Sequence, residues 1–250
     1  MRFHVEHMGD LATTNPRARA AFPCGSPAHR LQSNLAMLNE TQLAALLQPF
    51  DLRLTDRQIT QLQTYLEVLL RWNTKINLTA IRRPAECVTR HFGESLFLAR
   101  WVRLEGRLLD IGSGAGFPGL ALKIPFPDLS VTLLEPAAKK RAFLKEVVRA
   151  CEFRDVEVCG QRLEGFAEGE TRALFDNASS RAVGHFEKLL PLAVKCLKRG
   201  GRLYLWVSRD QGSQFGVVTD CLRWGSPIPL PLTREGEIWQ ATRQVLSVGS

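Results

Sequence analysis

The sequence predicts an α/β fold in which a mainly parallel sheet follows a short helical region. Apolar residues recur at three- and four-residue steps up to about residue 104, which is typical of amphipathic helices. Beyond that point short apolar runs alternate with helical patterns, and a glycine-rich loop follows the first of these runs. Such alternation favours parallel strands joined by right-handed crossovers. We therefore divide the chain into a helical region, 37–104, and a core, 105–250.

The first 36 residues differ from the rest of the chain. They contain three prolines, three histidines and few aliphatic residues. A segment of this composition buries too little apolar surface to offset the entropy of ordering it. We expect 1–36 to be a disordered extension, or to lie upstream of the true start of the protein near Met37.

Three helices are predicted in the helical region. Asn39 and Gln42 have the capping-box spacing, and so do Thr55 and Gln58, each pair ahead of an apolar stripe. A third helix is predicted over about 84–101. Together the three helices would form an appendage at the N-terminal side of the core.

The core is predicted to contain five parallel strands and a late antiparallel one. The five apolar runs are rich in β-branched residues and lie at Leu108–Ile111, Val131–Leu134, Val156–Val158, Phe175–Ser179 and Leu203–Val207. Helical patterns cover about 117–124, 137–150, 162–167 and 185–198. Three prolines mark a loop before Glu237–Val245, which reads as the late strand, so we expect an antiparallel hairpin near the end of the chain.

The chain is basic, with a net charge of +8 and two clusters of cations. Arg71–Arg107 holds eight cations against three acids, and Lys139–Arg149 holds five cations against one. Clustered Lys and Arg favour polyanionic partners, because they displace the counterions of a phosphate backbone. Nucleic acid is the expected partner, and two solvated charged faces are the alternative.

The sequence favours a cytoplasmic protein with neither a membrane segment nor a metal site. No apolar run approaches the ~20 residues that a membrane helix needs. The N-terminus lacks the apolar centre of a secretory signal. The six cysteines form no Cys-x-x-Cys pair, and no histidine follows them at zinc-finger spacing. We interpret them as reduced thiols that pack as small apolar groups.

The most informative segment is the glycine loop that follows the first predicted strand. Gly112, Gly114 and Gly116 let the backbone turn sharply and approach a ligand without a Cβ atom in the way. We expect a helix directly after Pro118, whose first turn would offer free N–H groups. In an open α/β sheet this loop lies at the carboxyl edge, where ligands bind. A tight structural turn is the alternative.

The loop favours a cofactor other than a dinucleotide. Phe117 stands where the dinucleotide fingerprint has its third glycine, which argues against NAD. The form Asp110-x-Gly-x-Gly-x-Gly suits a cofactor without a pyrophosphate, held by an amino acid end and an adenosine. Glu135 ends the second strand and can accept hydrogen bonds from both ribose hydroxyls. Alternatively, Glu135 is a surface acid that caps the helix after Pro136.

Six segments, taken in order, carry a family resemblance. They are Arg71–Thr79 (RWNTKINLT), Arg90–Leu96 (RHFGESL), Asp110–Gly119 (DIGSGAGFPG), Lys139–Leu144 (KKRAFL), Gly160–Glu164 (GQRLE) and Phe175–Ala182 (FDNASSRA). In this order they resemble the bacterial small-subunit ribosomal RNA guanine-N7 methyltransferases, also called the glucose-inhibited division protein B family. The resemblance covers about Met37 to Ser208. It departs at Val207-Ser208, where the family often has Lys-Gly, and from Arg209 onward.

The resemblance implies a class I (Rossmann-like) S-adenosylmethionine-dependent methyltransferase fold with an N-terminal helical appendage. The implied cofactor is S-adenosylmethionine. Its expected contacts come from four strand ends: Gly112, Gly114, Phe117, Glu135, Leu163, Glu164 and Arg181. For Leu163 the alternative is an ordinary core leucine, and for Arg181 it is a structural ion pair with Asp110 or Glu135.

The resemblance also implies the reaction and the partner. The family methylates N7 of a guanine in 16S rRNA, guanine 527 of the small subunit. The implied partner is 16S rRNA or the small ribosomal subunit, with the protein acting as a monomer. N7 carries a lone pair and no proton, so no general base is expected. Arg181 would then serve catalysis by positioning, and His91 would be a structural hydrogen-bonding residue.

Three other functions fit part of the pattern. A nicotinamide-dependent oxidoreductase would need a different residue at Phe117 and catalytic groups of a substrate domain. A class I methyltransferase could act on a different RNA, a protein or a small molecule. A non-catalytic RNA-binding protein could keep a vestigial pocket, although Gly112, Glu135 and Arg181 are all present.

Overall fold

The computed structural model describes residues 38–169, 173–181, 184–212, 215, 221–233 and 235–244. The predicted extension, 1–36, lies outside the described residues, and so does Val245. The described residues fall in one compact unit, Ala36–Ser250. Within them, no helix is both long enough and apolar enough to span a bilayer.

Two capped helices open the described chain, as predicted. α1 (Glu40–Leu47) and α2 (Asp56–Asn73) each begin with a complete capping box. In the first box the Asn39 and Gln42 side chains accept hydrogen bonds from each other's backbone N–H groups at 2.9 Å. The boxes provide acceptors for backbone N–H groups that have no partner in the first turn of a helix. The apolar face of α2 is buried.

The third predicted helix, 84–101, is not regular. It consists in order of α3 (Pro84–Cys87), a π-helical segment (Val88–Gly93), α4 (Glu94–Leu96) and a 3-10 segment (Phe97–Arg100). The predicted span is therefore helical, but it is not a single α-helix. Gly93 lies against the Phe50 ring, where a Cβ atom would come within 2.4 Å of Phe50 Cε2. The π-helical turn therefore occurs where the segment packs closely against Phe50. The spacing of apolar residues in the sequence does not reveal such a turn.

The sheet confirms the predicted strands. Its strands are β1 (Arg107–Ile111), β2 (Ser130–Leu134), β3 (Val156–Cys159), β4 (Phe175–Arg181), β5 (Leu197–Ser208), β6 (Leu222–Trp224), β7 (Ile228–Pro229) and β8 (Gly236–Arg243). The order is β3-β2-β1-β4-β5-β8-β6, with β7 paired to β8. β1 to β5 are parallel, and β8 runs antiparallel to β5, β6 and β7. The change of direction from β1–β2 to β1–β4 places a ligand-binding crevice beside the end of β1.

The core helices differ from prediction at the glycine loop. The regular ones are α5 (Ala138–Ala150), α6 (Leu163–Glu168), α7 (Phe186–Cys196) and α8 (Arg209–Gly212). The helix predicted over 117–124 is instead a run of turns with one 3-10 segment, Ala121–Lys123. Gly119 lies so close to Asp110 that a Cβ atom would come within 2.3 Å of Asp110 Cβ. The segment after Pro118 therefore packs against β1 as a series of turns. Backbone N–H groups that could contact a ligand belong to the glycine loop and not to the first turn of a helix.

Tyr65 of α2 holds the glycine loop in place. Its hydroxyl donates a hydrogen bond to Ala115 O at 2.6 Å, and both groups are buried. Its ring stacks on Phe117 with a centroid separation of 5.3 Å and an interplanar angle of 11°. A Cβ atom on Gly116 would come within 2.1 Å of the Tyr65 hydroxyl oxygen. The helical region therefore fixes the conformation of the loop.

We predict that Tyr65→Phe destabilises the protein. The change leaves the buried Ala115 carbonyl without its donor, which costs about 1–3 kcal/mol. Urea denaturation would measure the loss. Tyr204→Phe is the matched control, because the buried Tyr204 hydroxyl, near Arg202, makes no hydrogen bond of good geometry with any described residue. Equal destabilisation by the two changes would contradict the bracing role of Tyr65.

Candidate functional site

A cleft of about 360 Å³ opens at the carboxyl edge of β1, β2 and β3. We call it the cofactor cleft; its walls include Ile111, Gly112, Leu134, Leu163, Glu164 and Leu189. Three of the predicted cofactor residues, Gly112, Leu163 and Glu164, line it directly. Gly112 has a φ of 72°, so its backbone adopts the left-handed conformation that glycine tolerates best. The cleft thus combines apolar walls with an acid and an exposed stretch of backbone.

Glu135 fastens the glycine loop to the start of α5. Its carboxylate accepts hydrogen bonds from Gly114 N at 2.9 Å and from Ala137 N at 2.8 Å. The residue is 5% exposed. The bond to Ala137 agrees with the alternative of an acid at a helix start. Each carboxylate oxygen has a second lone pair, so the group can still accept a hydrogen bond from a ligand hydroxyl.

Phe117 packs behind the loop and does not line the cofactor cleft. Its ring lies between those of Tyr65 and His91, and the His91 centroid is 4.8 Å away at 16°. His91 Nε2 is 2.8 Å from Thr79 Oγ1. Burial, helped by the charges of Arg181 and Arg90, lowers the pKa of His91 to about 4. His91 is therefore neutral near pH 7, and the expected structural hydrogen bond is present.

Asp110 is a buried acid directly before the loop. Ser179 Oγ donates to its Oδ1 at 2.7 Å. Its Oδ2 has no hydrogen bond of good geometry within the described part of the chain, although Gly119 and Ser113 are close. Burial raises the pKa of Asp110 to about 6. From the sequence, Asp110 was the first residue of the loop motif and a candidate partner for Arg181. Its burial was not predicted, because the spacing of residues does not reveal which acids are buried.

Arg181 ends β4 and pairs with Glu94, not with Asp110 or Glu135. Its Nη2 lies 2.5 Å from Glu94 Oε2 and donates to Arg90 O at 2.6 Å. The side chain is 17% exposed. Glu94 comes from α4 in the irregular helical segment, so the partner of Arg181 was missed from the sequence. The signal available was the spacing of Arg90 and Glu94 in the family motif, one helical turn apart.

Arg181 lines a second cavity of about 540 Å³. We call it the second cavity; its lining includes Arg90, Glu94, Arg181, Trp206, Leu230 and Leu232. Ser180 pairs in register with Ile111, so Arg181 lies one residue past the strand position beside the start of the glycine loop. Of the predicted residues, Gly112, Leu163 and Glu164 line the cofactor cleft, and Arg181 lines the neighbouring cavity. Gly114 and Glu135 are bonded to each other in the loop beside the cleft and are not among the described residues that line it.

The structure divides the basic clusters into paired and unpaired cations. Arg71, Arg90, Arg100 and Arg103 form ion pairs with Glu146, Glu94, Asp51 and Glu105. Six further cations of the two clusters are exposed and form no ion pair with any described residue: Lys75, Arg82, Arg83, Lys139, Lys145 and Arg149. These six are the ones free to contact a polyanion.

Comparison with known proteins identifies the family. The model of the rRNA small subunit methyltransferase G family matches residues 58–213, more than half of the chain. The chain belongs to this family. A ribosomal RNA small subunit methyltransferase G from Chloroflexus aggregans is 42% identical over 171 residues, 68% of this chain and 72% of the relative. The Roseiflexus castenholzii protein of the same name is 44% identical over 153 residues, 60% of this chain and 65% of the relative.

The fold agrees with the family. A chain of the fibrillarin/Nop5p complex aligns with a TM-score of 0.50 at 16% identity, over 61% of this chain and 82% of that chain. At this identity the likeness concerns the fold alone. Parallel strands in the order β3-β2-β1-β4-β5, with antiparallel β8 beyond them, make the chain a class I methyltransferase with helices at its N-terminal side. The predicted fold class and family are both confirmed.

We predict that His91 makes stability depend on pH. Its folded-state pKa of about 4 lies below the usual pKa of 6.5 for a histidine, so folding opposes protonation. The stabilisation that comes from neutral His91 is complete above pH 6.5 and is lost as the pH falls towards 4. At pH 5 this lowers the free energy of unfolding by about 2 kcal/mol. Urea denaturation between pH 5 and 7.5 would compare the wild type with His91→Phe, which keeps a ring against Phe117. Parallel pH curves for the two proteins would contradict this prediction.

Proposed function

We propose that the chain transfers a methyl group from S-adenosylmethionine to N7 of a guanine in the 16S rRNA of the small ribosomal subunit. The carrying observation is the cofactor cleft, where Gly112, Leu163 and Glu164 meet at the ends of β1 and β3. Membership of the methyltransferase family supports the proposal. The names of the relatives support the ribosomal substrate.

The residues present fit S-adenosylmethionine. Leu163, with other aliphatic side chains of the cleft, offers apolar walls to an adenine ring. Glu135 has acceptor capacity left for ribose hydroxyls, and its bond to Gly114 N orients the loop. The exposed backbone at Gly112 can approach the amino acid end of the cofactor. When bound, S-adenosylmethionine supplies a methyl group activated by its sulfonium charge.

The proposed reaction asks the protein for alignment rather than for proton transfer. Guanine N7 has an in-plane lone pair and carries no proton, so no base has to remove one. His91 is neutral, packed against Phe117 and bonded to Thr79, which leaves it in a structural role. Positioning of reactants can supply ~7–11 kcal/mol in favourable systems. Arg181, held by Glu94 and by the Arg90 carbonyl, is the residue that we assign to orienting the base.

The RNA would be held mainly through its phosphates. The unpaired cations Arg82, Arg83, Lys139, Lys145 and Arg149 are exposed on the helical region and on α5. α2 and α5 are joined by the Arg71–Glu146 ion pair, so the two clusters lie on adjacent elements. Phosphate contacts position a nucleic acid without reading its sequence. We propose that the protein acts as a monomer in the cytoplasm, where this substrate is found.

The direct test is transfer of a labelled methyl group to purified ribosomal components. The protein and labelled S-adenosylmethionine are incubated with small subunits, large subunits and naked 16S rRNA. We expect label only in the small subunit or its RNA, at one guanine, as N7-methylguanosine. Label in protein, in the large subunit or at another atom of the base would contradict the proposed function.

We predict that Gly112→Val weakens cofactor binding at least about tenfold. A β-branched residue at φ 72° is strained, and because Gly112 lines the cofactor cleft, a shift of its backbone would distort the cleft wall. Isothermal titration with S-adenosylmethionine would measure the affinity. Gly200→Val is the matched control, because Gly200 has a φ of 73° and nothing within 4 Å of an added Cβ atom. Equal losses of affinity in both variants would contradict the assignment of the loop.

We predict that Arg181→Ala lowers kcat for methyl transfer at least about a hundredfold while cofactor affinity changes little. The change removes the group that orients the base and leaves Glu94 without its closest partner. Single-turnover transfer to small subunits would measure the rate. Arg103→Ala, which removes an exposed pair with Glu105, should retain the wild-type rate. Thermal melting would separate a lost contact from a lost fold, and unchanged turnover in Arg181→Ala would contradict its role.

A further inference from the structure

The second cavity is lined by a buried carboxylate, that of Glu94, which is 4% exposed. Its Oε2 forms an ion pair with Arg181 Nη2 at 2.5 Å, and its Oε1 forms one with Arg90 Nε at 2.7 Å. Oε1 makes no hydrogen bond of good geometry with any described residue. Most buried polar atoms in proteins have such a bond. Glu94 therefore keeps lone-pair capacity on Oε1 beside the cavity that it lines.

The rest of the second cavity suits a flat, partly apolar ligand. Trp206 and Leu230 are buried and give it apolar wall. Leu232 lines it as well, yet is 61% exposed with a φ of 62°. A large aliphatic side chain held outward beside a cavity is available to cover a ligand. A volume of about 540 Å³ lies in the usual range for sites that enclose small organic groups.

Among the RNA bases, guanine alone presents two adjacent N–H donors, N1–H and the 2-amino group, on its Watson–Crick edge. A carboxylate has only acceptors and matches that pair of donors. Adenine and cytosine place a ring-nitrogen lone pair at the same position, which would face the carboxylate lone pairs. Enzymes that act on an extruded base read it through this edge.

We propose that the second cavity receives the target guanine and that Glu94 Oε1 selects it by accepting from both N1–H and the adjacent 2-amino group. This inference rests on the proposed function and names the residue that determines base specificity. N7 lies on the opposite side of the purine from these donors, so the Watson–Crick edge can be held while N7 stays free to react. The strand that ends in Arg181 neighbours the strand that leads into Gly112, so the cavity is beside the cofactor cleft.

Glu94 also lies where it can favour the reaction. Methylation at N7 gives the purine a positive charge, which makes N1–H a stronger donor. A fixed acceptor at N1–H is then bonded more tightly as the charge develops than in the ground state. An interaction that strengthens in this way lowers the barrier. Arg90 and Arg181 on the same carboxylate hold it in one orientation.

The experiment compares GMP with inosine monophosphate, which lacks only the 2-amino group. Titration of each nucleotide into the full-length protein measures its equilibrium affinity. Because both nucleotides have the same ribose and phosphate, the contacts of those groups do not affect the ratio of the two affinities. We expect the wild type to bind GMP about tenfold more tightly, the effect of one hydrogen bond to a charged group. Equal affinities for the two nucleotides, or no GMP binding at millimolar concentration, would overturn the proposal. This comparison needs no variant.

Glu94→Gln then tests the residue. Arg181 and Arg90 both offer only donors, so the single amide oxygen can serve one of them, and an NH₂ group that faces Arg181 would be unfavourable. With the amide oxygen on Arg181, the NH₂ group replaces Oε1 and removes the acceptor beside the cavity. We expect the variant to lose GMP affinity and the GMP to inosine monophosphate ratio to fall to about one. Glu146→Gln is the matched control, since it breaks the Arg71 ion pair outside the cavity and should keep the wild-type ratio. A wild-type ratio in Glu94→Gln would exclude Glu94 as the selecting residue.

The two proposals fail in different ways. If nucleotide binding shows the expected ratio but no label reaches ribosomal RNA, the assignment of the second cavity stands and the proposed function is wrong. If label reaches guanine N7 but the wild type binds both nucleotides equally, the function stands and selection by Glu94 is wrong.

Discussion

The hydrogen bond from the Tyr65 hydroxyl to the Ala115 carbonyl is the contact on which the cofactor side of the molecule depends. The glycines of the loop remove steric restraint, so the loop has little conformational preference of its own. Tyr65 supplies that preference from one side and Glu135 supplies it from the other, through Gly114 N. A loop held between a helix of the appendage and the end of β2 is ordered before any ligand arrives, and preorganisation lowers the cost of binding.

This arrangement gives the N-terminal helices a structural part in the site. Phe117 occupies space between Tyr65 and His91, so the residue that argues against a dinucleotide cofactor packs the loop onto the helical region. The appendage also supplies Arg90 and Glu94 to the second cavity. The second cavity therefore combines parts of the sheet with parts of the appendage, whereas the described lining of the cofactor cleft comes from the core and meets the appendage only through the glycine loop. A core without the appendage would lack the support of the loop and one wall of the second cavity.

The ion pairs of Glu94 with Arg90 and Arg181 concentrate charge where little water reaches. Burying charged groups is costly, and the attraction between them offsets that cost only when geometry is good. Here one carboxylate has two cationic neighbours, and its Oε1 makes no hydrogen bond of good geometry with any described residue. Such a group contributes little to stability for its cost. A ligand that donates a hydrogen bond to Glu94 Oε1 explains the presence of this buried carboxylate better than stability does.

The amino-acid sequence by itself determined what depends on local chemistry. The capping boxes at Asn39 and Thr55 and the positions of the strands along the chain follow from short-range spacing, and the structure confirms them. The family and its glycine loop follow from ordered motifs. The loop's turns after Pro118, the π-helical segment and the pairing of Arg181 with Glu94 were decided by tertiary structure. Each depends on close packing or burial between residues distant in the chain, and apolar periodicity carries no record of which distant groups meet.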